Sequence, residues 1–341
     1  MERGGLLGDL LKRVSRSFYL SLAILPRSLR APVALAYLFA RAADTIADTR
    51  LISRDERLRH LEALRAEFRG ELPSRLDEIV RACTGSITHG GERELLGRLS
   101  DCFARYRELE KADQERIGSL LLTITEGMSF DLRTFPGEDE GRLVALESRE
   151  ELDRYTYLVA GCVGEFWTEI HVAHRPPLAG WGLLEMKQKG VGFGKGLQMT
   201  NVLRDLARDL RIGRCYLPRP DLAQLGLDLT DLLDPAAIGK VRPLILELLA
   251  LTLRHYEAGW SYTLAIPRRE WRMRLACAWP LLIGLRTLNL VAASPNLLDP
   301  GQVIKISRAE VYAILARSLV LVGSNRALAA EAKRLRERIA A

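Results

Sequence analysis

Aromatic residues make up 6% of the 341-residue chain and are not interleaved with any run of Lys or Arg, so a stacking platform for single-stranded nucleic acid lacks its parts. Nucleic acid is therefore not among the expected partners. Cysteine is also sparse. Cys83, Cys102, Cys162, Cys215 and Cys277 are odd in number, widely spaced and never in a CxxC pair, which points to reduced thiols in a cytosolic protein. The N-terminal MERGGLLGDLLKRVSRS has no long apolar core and no small-residue cleavage site, so no secretory signal is expected. The most membrane-like window, 275–293, is interrupted by Pro280 and Arg286 and reads as a buried core helix rather than a membrane span. Period-two alternation with β-branched enrichment is missing throughout, which excludes a large sheet.

What is present is ordinary for a soluble globular protein: 48% hydrophobic and 27% charged residues, enough for a large core. The length permits one large domain or two smaller ones. Fifty basic against 43 acidic residues give +7, which favours an anionic partner without choosing among diphosphate, lipid headgroup and nucleic acid. Helical periodicity dominates, and it predicts an all-α protein with helices near 5–25, 32–49, 53–70, 74–84, 91–111, 113–133, 148–174, 178–211, 235–266, 268–293, 307–322 and 324–340. Pro32 is expected in the first turn of its helix, with Pro26 closing the segment before it. The stretches 136–140 and 218–234 read as the least helical. Neither has a linker's composition, so the chain is expected to form one domain over 1–341.

Residues 34–49, ALAYLFARAADTIADT, form an almost wholly apolar helix pattern broken by Arg41, Asp44 and Asp48. At about 100° per residue, Asp44 and Asp48 lie about 40° apart and about 6 Å apart along the axis, with Arg41 one turn before. Two carboxylates set among Ala, Leu and Ile are costly without a counter-charge. Residues 197–209, LQMTNVLRDLARD, repeat the spacing with Asp205 and Asp209, and Asn201 falls one turn earlier. One DxxxD reads as a solvated helix face. Two copies, each beside apolar residues and each with Arg or Asn in register, point instead to a cage of four carboxylates. Hard oxygen ligands suit Mg²⁺, which takes its remaining ligands from water and substrate phosphates.

Ser15, Ser17, Phe18 and Tyr19 place small hydroxyls near a helix start, where a phosphate or a plain N-cap would be served. Ala160, Gly161 and Gly164 make a smooth helix face suited to close packing or to passage of a long apolar chain. The run Gly190, Gly192, Gly194, Gly196 fits no nucleotide-loop pattern; it is expected to bend its helix or to let backbone approach a substrate. His171 and His174 lie among ordinary surface signals, and their spacing alone does not make a zinc site.

The segments SRSFYL (15–20), RAADTIAD (41–48), YTYLVAG (155–161), LQMTNVLRDLARD (197–209) and GRCYLP (213–218) together resemble the squalene/phytoene synthase family, the head-to-head trans-isoprenyl diphosphate synthases, over residues 15–324. ADTIAD, CAWP (277–280) and VIKISR (303–308) resemble the squalene synthase branch, although Ser307 stands where that pattern has Arg, with Arg308 one place later.

The resemblance implies a helical isoprenoid-synthase bundle around a cavity. It implies Mg²⁺ held by Asp44, Asp48, Asp205 and Asp209, two farnesyl diphosphates as substrates, and Arg41 and Arg204 neutralising developing charge. Tyr155 is implied as the guide of proton removal, with Gln198 and Asn201 on the cavity wall and Ser17 and Phe18 also at the substrate. Lys305 and Arg308, with Asn201, are implied in binding NADPH. A cytosolic enzyme, peripheral to the membrane where product leaves, is expected. A carotenoid-type synthase making dehydrosqualene or phytoene without reduction, and a noncatalytic lipid-binding relative, remain as alternatives.

Overall fold

A computed structural model of the chain describes residues 5–15, 18–49, 51–85, 87–136 and 141–340, and almost all of its regular structure is helix, as the periodicity predicts. The chain divides into two compact units, Met1–Arg133 with Phe166–Ala179, and Thr134–Glu165 with Gly180–Ala341.

In the first unit the helix Arg27–Asp48 is packed by Arg54–Arg69, Gly90–Gly97 and Leu99–Arg107. Its inner face carries Phe39, whose ring meets Phe103 at 4.7 Å and Phe68 at 4.9 Å between centroids. Aromatic edges packed this closely contribute beyond their buried area and hold the helix in one orientation. Pro26 is the N-cap and Pro32 lies inside the helix rather than in its first turn, so the Ser28 carbonyl lacks its i+4 donor. Ser53 and Glu56 cap the next helix reciprocally, a signature written in the sequence as S-x-x-E.

In the second unit Leu183–Arg204 packs most extensively against Ile238–Ala265. The glycine run lies within this helix and serves close approach of backbone, not a bend. A Cβ on Gly164 would stand 1.9 Å from the Gly190 carbonyl oxygen, and one on Gly194 would stand 2.1 Å from that of Ala160. Positions 192 and 196 turn instead to the second neighbour, where a Cβ on Gly192 would meet Ala258 at 2.8 Å.

Several expected helices are divided. The span 5–25 is cut into Leu6–Leu10, a π-helical turn, then Leu11–Ser15 and Phe18–Ile24, and 91–111 is cut at Arg98. A second π-helical turn, Tyr157–Gly161, interrupts 148–174. Two short parallel strands, Val144–Leu146 and Arg214–Pro218, pair where no sheet was expected; three residues are too few to show alternation. The 218–234 stretch contains the helix Arg219–Gln224 and a 3₁₀ turn, Leu229–Leu233. The helix Trp271–Ala293 belongs to a segment long and apolar enough to cross a membrane, but most of that window is buried inside the protein. None of the five cysteines is in a disulfide, and all are buried.

Candidate active site

From Arg41 to Thr49 every residue is buried except Arg41, Asp44 and Asp48, so the first motif is the one opening in an otherwise closed helix end. Arg41 donates to Asp44 from one guanidinium nitrogen and to Glu92 from the other. Burial disfavours its charge, but Asp44 and Glu92 more than offset this and hold its pKa above the ordinary value. Asp44 feels the opposite imbalance. Burial and the Asp48 carboxylate push its pKa up to about 6 against the pull of Arg41, with Glu92 adding to the rise. Its side chain still keeps 41% of its surface open, enough for a ligand to reach it. Asp44 and Glu92 thus share one arginine while Asp48 presses on Asp44, an excess of negative charge that a divalent cation would offset.

The second motif is built differently. The helix Leu183–Arg204 stops at Asp205, whose φ of −97° and ψ of 7° are not helical, and Leu206–Arg211 follows; the expected continuous helix is broken there. Backbone bonds from Asp205 N to Asn201 O and from Asp209 N to Asp205 O, each 2.9 Å, carry the winding across the break. Asn201, Asp205 and Asp209 remain half-open positions of one face beside buried Val202, Leu203, Leu206 and Leu210. Arg204 forks onto both oxygens of Asp205, through Nε at 2.8 Å and through its second nitrogen. That bond raises the Arg204 pKa despite its burial.

Tyr155, Gln198 and Asn201 come together in a hydrogen-bonded chain. Asn201 Nδ2 donates to Gln198 Oε1, Gln198 Nε2 donates to the Tyr155 hydroxyl, and Tyr155 donates to the Tyr216 hydroxyl, each at 3.2 Å. The rings of Tyr155 and Tyr216 stack at 4.7 Å and 23°. Tyr216, on the second strand, and Glu92 are the two residues that sequence reasoning passed over. GRCYLP contained the first, and nothing in the local pattern marked the second.

Lys305 and Arg308 are exposed, one in the extended segment before the helix Arg308–Leu321 and the other at its first position. Among the described residues neither is tied into an ion pair, so both remain open to an anionic ligand. Ser307, which replaces the expected Arg, is the N-cap in a capping box with Glu310. Ser15 ends a helix rather than starting one, its hydroxyl donating to Leu11 O at 2.5 Å. Ser17 and the Phe18 side chain lie outside the described residues. His171 is buried, not at the surface, its Nδ1 facing Trp167 O at 2.7 Å, and burial lowers its pKa to about 3. His174 Nε2 pairs with Asp113 Oδ2 at 2.7 Å.

Among the described residues no three His, Cys, Asp or Glu side chains form a ready metal site. Each motif instead offers two carboxylates, which fits Mg²⁺ because that ion keeps waters and binds through one or two carboxylates plus substrate phosphates.

Compared with models of protein families, residues 11–310 match "Squalene/phytoene synthase". The chain is 27% identical over 320 residues to the squalene synthase of Eremothecium gossypii, covering 92% of this chain and 68% of that one. It is 29% identical over 218 residues to the presqualene diphosphate synthase of Zymomonas mobilis, covering 63% and 60%. Its fold is similar to that of TcSQS, solved in complex with the ligand E5700, with a TM-score of 0.79, 25% identity, and coverage of 98% and 90%.

Proposed function

Since the chain belongs to the squalene/phytoene synthase family and is a prenyltransferase of the squalene synthase type, we propose that it joins two farnesyl diphosphates head to head into presqualene diphosphate and reduces that product to squalene with NADPH, residues 1–341 working as one isoprenoid-synthase domain. The observation that carries the proposal is a pair of aspartate faces set in apolar packing, open at Arg41, Asp44 and Asp48 on one helix and at Arg204, Asp205 and Asp209 across a helix break.

The first half-reaction converts two farnesyl diphosphates into presqualene diphosphate, diphosphate and a proton. Asp44 with Asp48, and Asp205 with Asp209, would hold Mg²⁺, which when bound would supply the Lewis acidity that makes diphosphate a leaving group. Arg41 and Arg204 stay charged and neutralise the anion as it departs. Tyr155, its hydroxyl fixed between Gln198 and Tyr216, guides removal of the proton lost as the cyclopropane closes. Apolar walls exclude water, which would quench a carbocation.

The second half-reaction converts presqualene diphosphate and NADPH into squalene, diphosphate and NADP⁺. Lys305 and Arg308, with Asn201, would hold NADPH, which when bound would supply hydride. The similarity to a presqualene diphosphate synthase, together with the commitment of Ser307 to capping, favours a second reading in which the chain stops at presqualene diphosphate. Product analysis by gas chromatography, with farnesyl diphosphate, Mg²⁺ and either NADPH or buffer, decides. Squalene appearing only with NADPH supports the proposal. Presqualene diphosphate as the sole product under both conditions establishes the second reading, and dehydrosqualene, or phytoene from the longer substrate, moves the chain to the carotenoid-type class.

A further inference from the structure

The helix Arg308–Leu321 is turned partly inside out. Its polar Ser318 faces the protein, where the Trp279 indole N–H donates to its hydroxyl at 2.8 Å, and Glu310 is held by Arg286. Its exposed positions are Ala309, Tyr312, Ala313, Ala316, Leu319 and Val320 with Arg308 and Arg317 at the margins. At about 100° per residue those six fall within an arc of about 120°, a continuous apolar stripe on the outer face. Tyr312 is 65% and Val320 84% exposed, and Val303 just upstream is 78% exposed. A surface helix of a soluble protein ordinarily presents its polar face to water.

The contacts of this helix with Trp271–Ala293 fix their relative direction. Glu310 meets Arg286, Ser318 meets Trp279, and Val322 O accepts from Arg274, so the two run antiparallel. Trp271, one turn before Arg274, therefore stands at the same end as Leu319 and Val320. It is exposed, with the Arg272 guanidinium 5.2 Å from the centroid of its ring, and Arg268 and Arg269 beside it are exposed too. An exposed indole stacked by one arginine, with two more arginines in the same segment and an apolar stripe ending at the same level, is the composition of a membrane-interface anchor.

We propose that this face docks on an anionic lipid bilayer, with Tyr312, Leu319, Val320 and Trp271 entering the headgroup boundary and Arg268, Arg269 and Arg272 contacting lipid phosphates. Charge selects lipid over a second copy of the chain. The nearby acidic side chains are already engaged, Glu310 by Arg286 and Glu331 by Arg317 and Arg334, so the open charge around the stripe is positive and complements anionic headgroups.

The test is flotation of the full chain with phosphatidylcholine vesicles, with and without phosphatidylglycerol, at low and raised salt. The chain is expected to float with the anionic vesicles and to be released by salt. Leu319→Glu with Val320→Glu, and separately Arg268→Ala with Arg269→Ala and Arg272→Ala, are each expected to weaken partition about tenfold or more, with unchanged circular dichroism. Leu184→Glu, which removes an exposed leucine elsewhere, is expected to change nothing. Flotation that ignores both multiple variants, or no flotation at all, overturns the proposal. Sedimentation showing a dimer that Leu319→Glu with Val320→Glu dissociates, without vesicle binding, assigns the face to a second copy instead.

Discussion

The two aspartate motifs share a spacing and differ in how their charge is balanced. At the first, one arginine is divided between Asp44 and Glu92, and Asp44 is left under pressure from Asp48. At the second, Arg204 covers both oxygens of Asp205 and also feels the Asp209 carboxylate. At both motifs an incoming cation would compete with a guanidinium already in place; at the first that guanidinium is shared with Glu92, and at the second it takes both oxygens of Asp205. The same DxxxD spacing thus carries two electrostatic states, with the arginine three residues before the first aspartate in one motif and directly before it in the other.

Removing one carboxylate from each motif gives the largest expected effects and separates the two. Asp44→Asn and Asp205→Asn should each lower turnover by about a hundredfold to a thousandfold, since each deletes a ligand for the leaving-group metal. Full activity in either variant would exclude its carboxylate from metal binding. Stability should move in opposite directions in the metal-free protein. Asp44→Asn relieves like-charge crowding at a half-exposed site and should raise the thermal midpoint. Asp205→Asn strips Arg204 of its fork and should lower it, each by about 1 kcal/mol or less. Shifts of the same sign in differential scanning calorimetry would erase the contrast. Chelation should stop turnover, and added Mg²⁺ should restore it. In titration calorimetry with Mg²⁺ alone, Arg204→Gln should strengthen binding at the second motif more than Arg41→Gln does at the first, because Arg204 covers both oxygens of Asp205.

The faces of both motifs were legible in the sequence because charge placed at helical period in an apolar run is visible without a partner. What surrounds them was not. Glu92 reaches Arg41 from 51 residues away, and Tyr216 stacks on Tyr155 from 61 residues away, on a strand too short to show a pattern. The break at Asp205 depends on one residue's dihedral angles, which no periodicity reports. The role of Ser307 was written locally as S-x-x-E, but comparison with a motif that has Arg there drew attention to the missing charge instead of the cap. The glycine run was visible, yet its use required knowing which backbones cross it.

A middle-sized effect is expected in the tyrosine chain. Tyr155→Phe removes the hydroxyl that Gln198 and Tyr216 hold, and should slow presqualene diphosphate formation about tenfold to a hundredfold, within the range of proton-transfer assistance. Tyr216→Phe leaves that hydroxyl in place and removes one neutral hydrogen bond, worth about 1 kcal/mol, so a loss of about fivefold is expected. Single-turnover rates check the order. Equal losses in the two variants would show that the stacked pair acts as packing rather than through the Tyr155 oxygen.

The smallest effect on the first half-reaction is expected at Lys305 and Arg308, which lie on a segment apart from either aspartate motif in the sequence. If both hold NADPH phosphates, Lys305→Ala with Arg308→Ala removes two charge-assisted contacts, each worth roughly 1.5 to 3 kcal/mol, and should weaken apparent NADPH affinity about a hundredfold or more. Presqualene diphosphate formation should be unchanged, because no hydride enters before that point. The two rates are measured on one enzyme preparation, squalene formation against NADPH concentration and presqualene diphosphate formation without nucleotide. A loss confined to the first assigns the charges to the cofactor. Equal losses in both would place them at a farnesyl diphosphate instead, extending the diphosphate-binding charge beyond the two motifs. No loss in either would remove Lys305 and Arg308 from the site.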